Sequence, residues 1–172
     1  VLLDGRRRLV GWLSVAALAA GFGATVALAV LVVDGGARTV VAGGWAPGVG
    51  IVLEADALGM AFAVLSSGVL LAALLHEILT GVRSRTFPAL VLFLATGLNG
   101  LFLTGDVFNF YVFFELSMIS AYVLTAYGGR ARQTGGAFIF AVVNLLGSFI
   151  FLLAVAAIYH VTGTLEMRAV AE

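Results

Sequence analysis

Eight of the nine carboxylates in this chain, Asp4, Asp34, Glu54, Asp56, Glu77, Asp106, Glu166 and Glu172, stand at or beyond the ends of long apolar stretches, where water solvates them. Glu115 is the ninth, and it lies inside one. It follows Asp106 by nine residues. On a helix rising about 1.5 Å per residue this puts it roughly 13 Å deep, close to the middle of a hydrocarbon layer about 30 Å thick. A carboxylate at that depth is costly unless it is protonated, paired or in water. Two readings follow. Glu115 is a protonated structural group bonded across a helix bundle, or it is a proton or cation relay, because a carboxyl removed from water holds its proton more tightly and can exchange it under physiological conditions.

The other mid-stretch polar residues form a candidate pathway around it: Asn109, Tyr111, Ser117 and Ser120 on the same stretch, Asn99 on the preceding one, and Asn144 and Ser148 on the following one. At helical spacing, Phe108, Tyr111, Met118 and Tyr122 share the face of Glu115, while Ser117 and Ser120 lie up to half a turn round. Each of these residues taken alone also serves as an ordinary interhelical hydrogen-bonding group. The two histidines do not make a haem site. His76 ends one stretch and His160 ends another at the opposite side, a membrane thickness apart. His76 beside Glu77 could instead feed protons toward the bundle.

The elements that must position these groups follow from composition. The chain has 172 residues, 62% hydrophobic and 10% charged, with a mean hydropathy of +1.15. A soluble domain carries roughly a quarter charged residues, so lipid is the expected solvent. Apolar stretches at residues 9–33, 58–79, 87–104, 107–127 and 135–162 are each near membrane length. The chain is therefore predicted to be an all-α membrane protein of about five transmembrane helices. Gly105 and Asp106 make the tightest connection, so the third and fourth helices form an antiparallel hairpin. Residues 34–56 differ in character: β-prone segments at 39–41 and 50–53 flank Trp45, Ala46, Pro47 and Gly48, which reads as a β-hairpin or interfacial loop. The 22 glycines let neighbouring helices approach closely.

Net charge is zero, and all nine positive residues are arginines, which excludes a nucleic-acid-binding surface. No cysteine occurs, so disulfides, thiolate zinc and iron–sulfur ligation are excluded. No cofactor or metal site is expected. Seven of the nine arginines, Arg6, Arg7, Arg8, Arg83, Arg85, Arg130 and Arg132, fall on one side of the predicted bundle; Arg38 and Arg168 fall on the other. The positive-inside rule assigns the first side to the cytoplasm and the hairpin and Asp106 to the outside. The start at Val1 without a cleavable leader pattern, and an end in a polar turn just past Arg168, read as those of a fragment.

The run TGDVFNFYVFFE, residues 104–115, followed by LSMISAYVL at 116–124, resembles the glutamate-bearing helix of the antiporter-like subunits shared by multisubunit Mrp sodium/proton antiporters and respiratory complex I. The D subunit of the Mrp type is the nearest resemblance. NLLGS at 144–148, FLL at 151–153, Ile158-Tyr159 and TGTLEM at 162–167 are similar to the family's next helix and its exit. The resemblance covers residue 56 to the end well and the first helix weakly. It implies a fourteen-helix subunit with two inverted five-helix repeats, of which this chain would hold the second to sixth helices in the N-terminal half. It also implies that Glu115 is the family's essential glutamate, which faces a lysine on a later, broken helix. Ile139 departs from the pattern, standing where many members carry another lysine, just before the aromatic residue matched by Phe140. Flavin and iron–sulfur centres belong to other subunits.

On this basis residues 1–56 are expected to form the first helix and outer hairpin, and 57–172 four further helices, with the antiporter core beginning near 87. The expected function is a membrane subunit of a proton or sodium/proton antiporter or respiratory ion pump, in which Glu115 exchanges protons. It is an ion-translocating subunit of a bacterial or archaeal plasma membrane, not itself the catalyst of a redox reaction, although it could belong to an NADH-dehydrogenase-type complex. Expected partners are other membrane subunits, protons, sodium and the lipid bilayer. The alternative is a non-transporting membrane scaffold of a respiratory or hydrogenase-type complex.

Overall fold

The computed structural model describes residues 7–44, 50–81 and 86–171. Among them are α1 (Arg7–Gly35), β1 (Arg38–Val41), β2 (Val52–Ala55), α2 (Ala57–Thr80), α3 (Thr86–Phe102), α4 (Val107–Ala126), α5 (Ala131–Thr162) and a short α6 (Met167–Ala171). The five expected spans are present as α1 to α5. Four of them, α1, α2, α4 and α5, are long and apolar enough to cross a membrane, and α3 is a shorter apolar helix of 17 residues. At about 1.5 Å per residue, α3 is near 26 Å and α5, with 32 residues, near 48 Å. Helix α5 therefore exceeds the hydrocarbon layer, and its first residues, including Arg132, Gln133 and Thr134, extend it toward water. The apolar run begins only at Gly135, which is why the expected start lies four residues late.

Local chemistry fixes where these helices begin and end. Asp56 caps α2 by accepting from Gly59 N at 2.7 Å, and Asp106 caps α4 by accepting from Asn109 N at 2.7 Å. Each satisfies one of the backbone donors that a helix start leaves open. Pro88 sits in the first turn of α3, where a missing N–H costs nothing. Gly163 ends α5 at φ +70°, a left-handed conformation that favours glycine.

The helices pack in a chain of neighbours, α1 on α2, α2 on α3, α3 on α4 and α4 on α5, with α1 also touching α3. Val15, Leu18, Leu74, Ile78, Val91 and Ala95 bury one core between the first three helices; Val32, Ala55, Met60 and Ala63 bury a second near the β-hairpin. Many large apolar side chains, such as Phe138, Ile150 and Val161, face outward, as expected where lipid or further helices are the surroundings. The α3–α4 seam is the tightest. A Cβ at Gly97 would lie 2.7 Å from Ser117 N and 2.9 Å from Ser117 Cα, so only glycine lets the backbones meet there.

Strands β1 and β2 pair antiparallel, Arg38 opposite Ala55 and Val41 opposite Val52. The second strand lies two residues later than its β-prone sequence suggests, and the Trp45–Pro47 tip falls outside the described residues. A third layer explains the shift. Glu54 N donates to Leu103 O at 2.7 Å and Gly105 N to Val52 O at 2.8 Å, so β2 is held by the α3–α4 turn as well as by β1. The turn is in turn bonded to the chain after α5, Val107 N to Leu165 O at 2.9 Å and Met167 N to Gly105 O at 2.8 Å. An ion pair joins Arg168 of α6 to Glu54, 114 residues away in sequence. The segment expected as a polar turn after α5 thus contains a helical turn tied to this plate. The plate closes one end of the bundle and anchors the start of α4, the helix that carries Glu115.

Candidate functional site

Glu115 stands at the ninth position of the 20-residue α4. Its neighbours along the helix are apolar or aromatic, and its polar contact comes from α5: Ser148 Oγ donates to Glu115 Oε1. Ser148 is 5% exposed, so this bond lies inside the α4–α5 seam. One turn along α5 toward the arginine-rich end is Asn144. The Tyr122 hydroxyl and Asn144 Nδ2 are both buried, and neither closes a hydrogen bond among the described residues. Phe140 meets the Tyr122 ring edge-on, with centroids 5.1 Å apart and planes at 87°. Beside this group opens a cleft of about 430 Å³ lined by Asn144, Ser148, Gly147 and the rings of Phe110, Phe114, Phe140 and Phe151. A carboxyl and a hydroxyl therefore meet in the α4–α5 seam, with an amide and a phenol further along it toward the arginine-rich end.

The remaining candidates lie elsewhere. Asn99 Nδ2 donates to Ser67 Oγ at 3.0 Å and to Ala95 O at 2.8 Å, tying α3 to α2 on the side away from α4. Asn109 Nδ2 donates to Thr104 Oγ1 at 3.0 Å, a bond that braces the start of α4. Ser117 donates to its own helix at Phe114 O, 2.7 Å away, and packs on Gly97; Ser120 is buried on the same helix. Tyr111 stacks on Phe151 with centroids 6.1 Å apart and planes at 12°. Of the candidates, Ser148 is the one that bonds Glu115 among the described residues, and Asn144 stands one turn from it along α5. Tyr122 and Ser67 are polar residues of the bundle that stand outside the candidate pathway. Tyr122 shares the face of Glu115 by spacing, and that was the signal that could have found it; Ser67 carries no such signal, because its partner is on another helix. Among the described residues no three His, Cys, Asp or Glu side chains group as a metal site. His76 and His160 end different helices, α2 and α5.

Residues 104–172, from the α3–α4 turn onward, match the family model described as NADH:quinone oxidoreductase/Mrp antiporter, TM. The D subunit of the Na(+)/H(+) antiporter of Alkalihalophilus pseudofirmus is 37% identical over 150 residues, 86% of this chain and 30% of that protein. A chain in the structure of the Mrp complex from Dietzia sp. DQ12-45-1b superposes with a TM-score of 0.88 at 34% identity, over 96% of this chain and 32% of that one.

The chain belongs to the antiporter-like membrane subunits of the Mrp and NADH:quinone oxidoreductase family.

A further member of the antiporter-like fold stands in the membrane-bound sulfane sulfur reductase, an archaeal respiratory membrane complex, with a TM-score of 0.78 at 31% identity over 94% of this chain and 34% of that one. The antiporter-like chain spans about a third of the length of the relatives it matches. It is a multi-pass integral protein of the plasma membrane. These relatives are named as subunits or chains of membrane complexes.

Proposed function

We propose that this antiporter-like chain is the glutamate-bearing part of a proton or sodium/proton translocating subunit, and that Glu115 takes up and releases a proton during transport. The observation that carries the reading is the position of Glu115 at mid-span on α4, bonded by Ser148 inside the α4–α5 seam. A carboxyl so placed has few polar neighbours to hold its charge, so its protonation answers to whatever charge approaches it. The resemblance supplies that charge as a lysine on a later helix. Movement of such a lysine toward or away from Glu115 would load and release the proton. Among the described residues Arg7, Arg8, Arg130 and Arg132 stand at the end opposite the β-hairpin, and the positive-inside rule assigns that end to the cytoplasm.

The rival reading is a scaffold in which Glu115 and Ser148 lock α4 to α5, and the same bond is what favours it. Substitution separates the two. Glutamine keeps the size and the acceptor oxygen for Ser148 but cannot ionise. In the full-length assembled complex, Glu115→Gln is expected to leave assembly intact and abolish ion-coupled transport, with Glu115→Asp retaining part of it. Unimpaired proton flux and sodium tolerance in assembled Glu115→Gln would support the scaffold instead.

A further inference from the structure

Among the described residues five buried side-chain atoms have no hydrogen-bond partner: Glu77 Oε1, Tyr122 Oη, Tyr127 Oη, Gln133 Oε1 and Asn144 Nδ2. Four of these belong to α4, its capping residue Tyr127 and α5, and all four lie between Glu115 and the arginine-rich end. Leaving a buried polar atom unpaired is costly, because it has given up its bonds to water without replacing them. Folded proteins therefore pair nearly all such atoms, with ordered water where protein does not reach. A run of unpaired donors and acceptors on one side of one carboxyl is the pattern that bound water leaves.

Tyr122 and Asn144 are the two nearest to Glu115, and their directions converge. Side chains on a helix lean toward its N-terminus, and α4 and α5 run antiparallel, so Tyr122 on α4 and Asn144 on α5 lean toward each other along the seam. The Tyr122 ring packs on Phe140, one turn along α5 from Asn144, which is itself one turn from the Ser148 that bonds Glu115. Asn144 lines the adjoining cleft of about 430 Å³. A buried water needs room and roughly two to four polar partners. Asn144 Nδ2 offers a donor and Tyr122 a hydroxyl. Glu115 offers Oε2, an acceptor with no hydrogen bond among the described residues, Oε1 being taken by Ser148.

We propose that Tyr122 and Asn144 jointly hold a water molecule against Glu115, and that this water carries protons between Glu115 and the arginine-rich end of the α4–α5 seam. The proposal rests on the relay reading of Glu115. In the uptake step one O–H bond of the water breaks as an O–H bond forms on Glu115, and the water re-forms its O–H bond with a proton taken from hydronium of the solvent at the arginine-rich end, leaving neutral water there; release runs the same exchange in reverse. Tyr122 and Asn144 are positioning residues in this step, because neither needs to change its own protonation.

The test uses the full-length subunit in its assembled complex, reconstituted in vesicles. Tyr122→Phe removes only the hydroxyl and keeps the ring that packs on Phe140, while Asn144→Leu keeps the volume and removes the amide. Each is expected to assemble and to slow proton-coupled transport by at least about tenfold, less than the about 10²–10⁴ typical of removing an acid–base group itself. Because both hold the same water, the double variant should be no slower than the slower single variant. Infrared difference spectra should contain a water O–H band that shifts in H₂¹⁸O in the parent and is missing from both variants. Asn144→Ala, which leaves space for solvent, should recover part of the rate lost in Asn144→Leu. Unchanged transport and an unchanged water band in Tyr122→Phe would overturn the proposal, and so would losses that multiply in the double variant. Glu115→Gln in the same vesicles keeps the two ideas apart. Normal transport there removes the relay reading, whereas an inactive Glu115→Gln beside fully active Tyr122→Phe and Asn144→Leu removes only the water.

Discussion

Replacing Gly97 by alanine tests whether the α3–α4 seam sets the position of the glutamate helix. The added Cβ would lie 2.7 Å from Ser117 N, 2.8 Å from Ser117 Cβ and 2.9 Å from Ser117 Cα. Ordinary contact begins near 3.4 Å, so the helices must part by about 0.7 Å, and the obstacle is backbone that cannot rotate away. A gap of that size forfeits about a quarter to a half of the dispersion energy at each affected contact, and forced overpacking costs about 1–3 kcal/mol. Alanine returns about 1 kcal/mol through helix propensity. A methyl group added at Gly135 on α5 would meet nothing within 4 Å, so Gly135→Ala takes the propensity gain without the clash. The two variants should therefore differ by about 1–3 kcal/mol, Gly97→Ala being the less stable. Apparent melting temperatures of the detergent-solubilised full-length subunit measure this. Equal melting temperatures would show that the seam yields freely and that the close approach of α3 and α4 does not hold Glu115 in place.

Three other outcomes follow. In a cysteine-free background, an impermeant thiol reagent added to intact cells should label a cysteine placed at Ala37 and spare one at Ala131; the opposite pattern reverses the assigned orientation. Ile139→Lys in the full-length assembly should assemble and preserve or raise proton flux, because Ile139 is 65% exposed on the described bundle and faces away from Ala137 on the buried side of α5. Loss of assembly would instead reveal a tightly packed apolar contact there. Arg168→Gln should leave thermal stability close to that of the parent, since the guanidinium is 62% exposed and the plate is held by backbone bonds. A large drop in melting temperature would make the Glu54 ion pair the plate's main fastening.

The spans were legible because lipid rewards a continuous apolar run, and a run of about 20 residues needs no knowledge of its neighbours. The Gly105-Asp106 turn was legible for a related reason: Asp106 both interrupts the apolar pattern and caps the next helix. The depth of Glu115 then followed by counting. The arrangement around it was less accessible. Asn99, Ser117 and Ser148 look alike in sequence, each a small polar residue in an apolar helix, yet they meet Ser67, Gly97 and Glu115 respectively. Which of them shares a seam with the carboxyl depends on the rotation of each helix about its axis. Apolar faces that are covered by lipid and apolar faces that are covered by protein leave the same residues, so the sequence carries little record of that rotation. The plate at the hairpin end was hidden for another reason. Its joints, such as Glu54 N to Leu103 O and Met167 N to Gly105 O, are backbone bonds between segments far apart in the chain, and backbone groups are the same in every residue. That is also why β2 is displaced from its β-prone stretch: pairing with the α3–α4 turn outweighs local propensity.

Whether Glu115 changes its protonation during transport can be observed at the carboxyl itself, by infrared difference spectroscopy of the assembled complex under an imposed proton gradient. A proton relay requires a protonated-carboxyl stretch that appears and disappears with turnover, shifts in deuterium oxide and is abolished in Glu115→Gln along with transport. A spectrum without any such band, or a band that persists unchanged in a transport-competent Glu115→Gln complex, would contradict it.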